Sequence, residues 1–401
     1  MALAAPPDLG ARPSQESEDS LVVVSGTEDA LVLLDPDTGQ RRAFFRVGSG
    51  PSASAISDDG RTAVVTLRGH ALSGDSICVV DLHAAALVRT ISLSTETARG
   101  DGTTDVRVFH RPTGVVFLPG RARVLVTCAG EGALLLVDLL QQRVAGVAQL
   151  DGHGADDVVL DHEGRFAYVS DGAAGQVHIV RLETMHLVRS VEAGGGASGI
   201  AIHPTRDEVW ATNTNTNTIS VIDCGAQEER LEFPCGAMPV DLAFTPDGAN
   251  ALVVNHQEGN VSVIDSESLQ VRAVVRVPRV SEEAALERPV PEPVAFGRSA
   301  LPTSVMVDPE GDRAWITARR SDSVHEVSLA SFEVTASHAA PGGPVHVAWS
   351  SLTPAALSSP IVPIVPLEGR GGVSTDPGQR GVPDEADAGV GSSSPRPAKG
   401  P

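Results

Sequence analysis

Acids, bases and guanidinium groups recur at comparable positions along this chain. Asp157, Asp241, Asn213 and Asn255 are oxygen donors of the kind that hold a hard cation such as Ca2+. His110 and His256 titrate near neutrality and are candidate general bases. Arg68, Arg111, Arg319 and Arg320 can clamp a carboxylate or a phosphate. Asp156 and His70 complete a mixed-charge set of candidate ligand contacts. Each also has an ordinary reading. An Asn at a strand end caps a loop, a loop Arg is a solvated charge, and a chain with 12 histidines puts some near any opening.

Several other chemistries are not encoded. No GxSxG elbow is present, and no GxGxxG leads from a strand into a helix. Cys78, Cys128, Cys224 and Cys235 form neither CxxC nor CxxCH, so no zinc knuckle or covalent haem attachment is written. They read as small core residues. Cys224 and Cys235 would be linked only in an exported protein.

The elements that must position these groups are strands. Of 401 residues, 41% are apolar but only 3% aromatic, so the core is built from Val, Leu, Ile and Ala. Five short β-rich runs end in an aspartate, at Asp35, Asp81, Asp138, Asp223 and Asp265. Degenerate copies end at Val180 and Val327. The period is about 42 residues, stretched by insertions. Each period holds a strand, a turn such as Asp58-Asp59-Gly60 or Pro246-Asp247-Gly248, a second strand, the strand ending in aspartate, and a fourth strand. Four strands in about 42 residues is the period of a β-propeller blade.

The fold class expected is therefore all-β, a seven-bladed β-propeller of four-stranded blades over residues 20–351. The first unit begins at Leu21 with its second strand and lacks an inner one. Pro344-Val345-His346-Val347-Ala348-Trp349 matches the start of a unit, as in Pro239-Val240-Asp241-Leu242-Ala243-Phe244. The C-terminal strand should complete the first blade and close the ring, removing two exposed edges. Residues 1–19 read as a flexible N-terminal segment and 352–401 as a disordered Pro/Gly/Ser-rich tail.

The best copies, Ala211-Thr212-Asn213 to Asp223 and Val254-Asn255 to Asp265, resemble the YVTN family of propeller repeats. YncE-like and surface-layer propellers are the nearest by pattern, with lactonase and cytochrome-d1 propellers more distant. Calcium-dependent lactonases on six-bladed propellers use acidic and Asn ligands at a channel mouth, so the resemblance extends the cation reading of Asp157, Asn213, Asp241 and Asn255. With only three tryptophans, the repeated tryptophan docking of quinone-cofactor propellers is missing.

With strands lettered a to d from the channel outward, the b–c and d–a loops share one face. The inserts near 95–110 and 281–300 are d–a connections, and the long loop 68–75 is a b–c connection. All three decorate one face, and long loops on a rigid scaffold are where function concentrates. The candidate side chains above fall around the channel opening on that face.

Charge bounds the partners. Thirty basic against 51 acidic residues give −21, which argues against nucleic acid and anionic lipid surfaces. No apolar run approaches the ~20 residues of a membrane span. The opening residues lack the basic region and apolar stretch of a secretory signal. A cytoplasmic monomer is expected as the sequence stands, or an exported protein if a leader is missing. Two functions stay open. One is a non-enzymatic scaffold binding a protein or small-molecule ligand on the decorated face, with no cofactor. The other is a lactonase-like hydrolase at the channel mouth, using Ca2+ or an Arg clamp for the oxyanion.

Overall fold

In the computed structural model the described residues are 19–70, 74–99, 103–120, 122–278 and 299–351. They contain no helix, and so none long and apolar enough to cross a membrane. They fold into seven four-stranded antiparallel sheets and one two-stranded sheet. The inner strands are Pro51–Ile56, Pro112–Phe117, Ala155–Leu160, Ala197–Ile202, Pro239–Phe244, Pro302–Val307 and Pro344–Ser350. Each lies against the next, and the last lies against the first, so they ring a central channel. The chain is a seven-bladed propeller.

Closure occurs as the sequence pattern requires. The strand Pro344–Ser350 pairs antiparallel with Ser20–Ser25, setting Val347 opposite Val23 and Ala348 opposite Val22. Blade one thus takes its inner strand from one end of the propeller and its other three from the opposite end. The N-terminal segment and the tail expected at 1–19 and 352–401 lie outside the described residues, apart from Asp19.

The core is divided into seven apolar clusters, one at each interface between neighbouring blades. The second and third strands of every blade are buried on both faces, which explains runs such as LVVVS and ALLLVD. The three tryptophans stand at two interfaces. Trp210 meets Phe233 and Phe244 edge-on between blades five and six, and Trp315 leans on Trp349 between seven and one.

The aspartate at or just past the end of the third strand in blades one, two, three, five and six is a turn device. Its Oδ1 accepts the amide three residues on, from Thr38 to Asp35, Ala84 to Asp81, Gln141 to Asp138, Ala226 to Asp223 and Ser268 to Asp265, all at 2.7–3.0 Å. The turn then places Gly39, Ala85, Gln142, Gln227 or Leu269 in the left-handed region. An Asp side chain mimics a backbone turn, which is why it recurs at that position.

A second device ties the blades together. Every inner strand carries a one-residue bulge against its neighbour, as where Pro112 faces Cys128 and Val115 faces Val126. The bulge leaves an amide out of the ladder. In blade three that amide, Gly114 N, donates to Thr127 Oγ1 (2.7 Å), and the hydroxyl donates onward to Asp156 O of blade four (3.1 Å). Thr66 and Ser170 do the same in blades two and four. Thr127→Val keeps the volume but strands a buried amide and a carbonyl. We expect it to cost about 1–3 kcal/mol, read as a thermal midpoint lowered by roughly 5 °C. An unchanged midpoint would show that the hydroxyl is not the tie.

Candidate functional site

The d–a and b–c connections do share one face, and its described decoration is a hairpin. Residues Ser94–Ala98 and Thr104–Val108 pair as a sheet of their own. Both strands are largely exposed. The hairpin touches the propeller through Arg107, whose guanidinium donates to Gln149 Oε1 (2.6 Å) and stacks over Phe109. The second insert, near 281–300, lies outside the described residues except for its last two positions, as do residues 71–73 of the loop 68–75.

Arg68, Arg111 and Arg319 come together at the mouth. Arg68 is the first residue after a b strand, Arg111 the last before an a strand, and Arg319 the first after a b strand. The ring brings those strand ends to one level. Backbone bonds fix each in place, Arg68 N to Gly50 O (2.9 Å), Arg111 N to Gly74 O (2.8 Å) and Arg319 N to Leu301 O (3.1 Å). Arg111 holds a left-handed φ of 56°. Burial, with Arg111 and Arg319 repelling it and Asp156 opposing them, holds the Arg68 guanidinium below its ordinary pKa. Arg320 follows in the same loop, its amide on Ala300 O (3.0 Å).

Asp156 is the carboxyl of this group. Its Oδ2 accepts Gly172 N at 2.9 Å. Burial pushes it up to about 6, with Asp171 adding to the shift and the Gly172 amide, Arg111 and Arg68 opposing it.

Asp157 and Asp241 have a different surrounding. Both occupy the third position of an inner strand, where the bulge turns the side chain toward the next blade. Asp157 Oδ1 accepts Val158 N (2.8 Å), and its carboxyl also takes the Ile200 amide of blade five. Asp241 accepts Leu242 N (2.8 Å) and Val305 N of blade seven (3.0 Å). Gly114 and Gly199 hold the same position in blades three and five. A Cβ at Gly199 would sit 2.7 Å from Asp241 Cα. Burial pushes Asp157 up to about 7, with the Asp241 charge adding, and Asp241 up to about 6.

Asn213 and Asn255 are fully buried at the ends of b strands. Their side-chain amides donate to their own hairpins, Asn213 Nδ2 to Thr218 Oγ1 and Ser220 Oγ, and Asn255 Nδ2 to Asn260 Oδ1 and Ser262 Oγ. These two side chains do loop-capping work. Among the described residues no group of three or more His, Cys, Asp or Glu is arranged for a metal.

The candidate bases are engaged as well. His110 Nδ1 lies 2.7 Å from Glu131 Oε1, and its backbone amide donates to Oε2 of the same carboxylate. His256 Nδ1 lies 2.8 Å from Pro302 O. His70 pairs with Asp29 at 3.0 Å, joining the b–c loops of blades one and two. All four cysteines are free thiols, including Cys224 and Cys235. Burial raises the latter two, to about 11 and about 12.

One constellation escaped the sequence reading. His178, fully buried, lies 3.2 Å from Asp171 Oδ2 and 2.8 Å from Ser190 Oγ. The signal was there in the repeat. Asp171 and His178 stand where blades five and six carry Asn213 with Ser220 and Asn255 with Ser262. The pair replaces one buried polar tie with another. Blade seven repeats the arrangement with His325 between Ser323 and Ser337, which marks it as architecture.

No family model matches the chain. The YncE proteins of Salmonella typhimurium and Salmonella typhi are each 24% identical over 164 residues, 40% of this chain and 45% of the relative. The match thus spans less than half the length of these relatives. Among solved structures, a functionally unknown protein from Desulfotomaculum acetoxidans superposes with a TM-score of 0.63 at 12% identity, covering 82% of this chain and 98% of that one. Hydrazine synthase of Kuenenia stuttgartiensis gives 0.58 at 18%, covering 74% and 88%. The dihydro-heme d1 dehydrogenase NirN, in complex with DHE, gives 0.56 at 16%, covering 86% and 78%. These likenesses carry the fold alone. The chain is a seven-bladed propeller by its fold, and its weak sequence similarity is to YncE proteins.

Proposed function

We propose that this YncE-like propeller is a non-enzymatic binding scaffold whose working face carries the b–c and d–a loops. The observation that carries this reading is the hairpin of Ser94–Ala98 and Thr104–Val108. It adds no strand to any blade, yet it stands on the face where the channel mouth gathers its arginines. An exposed projection on the same face as a polar opening suits a ligand or a partner protein.

The hydrolase reading has one observation on its side. Asp156, held near 6 beside Arg68 and Arg111, could take and give a proton near neutrality. His110 and His256 already have partners, and the carboxylates once grouped for Ca2+ bind backbone amides.

The test compares the two faces. A photo-crosslinking residue replaces Val106 on the hairpin, 54% exposed, or Leu140 in a c–d turn of the opposite face, 60% exposed. In extract from the protein's own source, adducts should form from position 106 and not from position 140. Equal labelling at both, or labelling only at 140, would remove this face as the working surface.

A further inference from the structure

We propose that the channel mouth binds a small, multiply charged oxyanion, a di- or tricarboxylate or a phosphate ester, through Arg68 and Arg111 with Arg319 as the third positive charge. This rests on the decorated face being the working face and adds the chemistry of what it takes.

The chain carries −21 overall, yet Arg68 stands close enough to Arg111 and Arg319 to feel their charge, with the Asp156 carboxyl beside them. Like charges repel, and partial burial strengthens the repulsion by weakening solvent screening. Folding alone gives no reason for the arrangement. Around Arg68 and Arg111 the carboxylates of nearby loops are engaged elsewhere: Asp29 by His70 and Gly50 N, and Glu131 by His110. Arg68 and Arg111 make no side-chain hydrogen bond or salt bridge with any other described residue, and Arg111 Nε is buried without a partner. Buried donors are normally satisfied. Here they face an opening, and an oxyanion would satisfy them while cancelling the repulsion.

The geometry favours a small ligand over a long acidic chain. The arginines come from blades two, three and seven, with blade one between seven and two, so they stand along one arc of the opening. Bidentate guanidinium contacts to a carboxylate or phosphate need that proximity. A site that binds its ligand through pre-gathered like charge is also unstable when empty, the usual trade between stability and function.

The experiment is titration calorimetry of the full chain with citrate and, separately, pyrophosphate, at low and high salt. We expect saturable binding of at least one, weakened by salt. The citrate and pyrophosphate arms distinguish a carboxylate ligand from a phosphate one. Arg68→Gln and Arg111→Gln should each weaken binding about tenfold or more. Arg143→Gln, an equal charge change at an exposed site in the outer strand of blade three, should not. Because they relieve repulsion, both mouth variants should melt at or above the wild-type temperature, which separates lost binding from lost folding. Arg111→Lys should keep part of the affinity. Binding of neither anion, or binding unchanged in both mouth variants, would overturn the proposal. If neither anion binds while position 106 still crosslinks, the anion site falls and the working face stands. If position 106 fails while the arginine variants lose anion binding, the mouth is a ligand site and the hairpin is not an interface.

Discussion

A chain ended at Gly343 should lose its cooperative thermal transition, whereas one ended at Ser351 should keep it. The seven residues between Gly343 and Ser351 are the inner strand of blade one. Without them Ser20–Ser25 loses its partner on the channel side, and Val22 to Val24 lose the strand that covers them. Val347 belongs to the cluster joining blades seven and one, with Leu21, Val23, Val32, Leu34, Trp315 and Val324. Ala348 packs against the next cluster, between blades one and two. Burying a side chain such as Val contributes about 1.5–3 kcal/mol, and several are lost together. Polar ties go too: Ser350 Oγ to Gly60 O (2.6 Å) and His346 Nδ1 to Ser54 Oγ (3.2 Å), both into blade two. Total stabilities run to about 5–15 kcal/mol, so this loss is of the size of the whole. Opening the ring also exposes an unpaired edge, and aggregation should accompany the loss. A peptide of Pro344–Ser350 added in trans should restore part of the transition. A chain ended at Gly343 that melts within a few degrees of the full chain would show that the ring is held by the other six interfaces alone.

The ring was legible in the sequence because its parts repeat. Turn chemistry at Asp58-Asp59-Gly60 and Pro246-Asp247-Gly248 recurs with a fixed spacing, and the missing inner strand of blade one has a matching leftover at Pro344. The level of the b–c and d–a loops follows from strand order, so Arg68, Arg111 and Arg319 could be placed at one opening before any coordinates. Strand order does not give the direction of a side chain beyond a bulge. Asp156 and Asp157 are neighbours in sequence, and simple alternation would send them to opposite faces. The bulge against Ser170 changes that, leaving Asp156 among the arginines and Asp157 bonded to the next blade. The insert near 95–110 is a d–a connection by strand order alone. Its alternation of Thr, Asp, Val and Arg is a strand pattern, and the structure pairs Ser94–Ala98 with Thr104–Val108.

Replacing Asp157 by Asn should raise the thermal midpoint at pH 8 and leave it nearly unchanged at pH 4. Asp157 and Asp241 are raised to about 7 and about 6, first by burial, from an ordinary value near 4. A carboxyl whose pKa is raised by folding binds its proton more tightly in the fold. Its stabilising contribution is complete below about pH 4 and is lost as pH climbs through 6 to 7. The wild-type profile alone would hide this. His325 and His346 are depressed to about 4 by burial, with a contribution complete above about 6.5 and lost as pH falls toward 4. The two trends oppose each other between pH 4 and 6.5, so the comparison must be between variant and wild type at each pH. Three units at Asp157 correspond to about 4 kcal/mol at full effect. Asp157 is half-buried, and screening by solvent reduces that to about 2 kcal/mol. The midpoint of Asp157→Asn should then exceed the wild type by roughly 4 °C at pH 8. Asp241→Asn should do the same to a smaller degree. The double variant should gain less than the sum, because the Asp241 charge is one of the causes of the Asp157 shift. A midpoint below wild type at pH 8 for both single variants would mean that the ionised carboxylates hold the Ile200 and Val305 amides more strongly than burial disfavours their charge. The inner ring would then be tied by anions at neutral pH, and its stability would rise with pH.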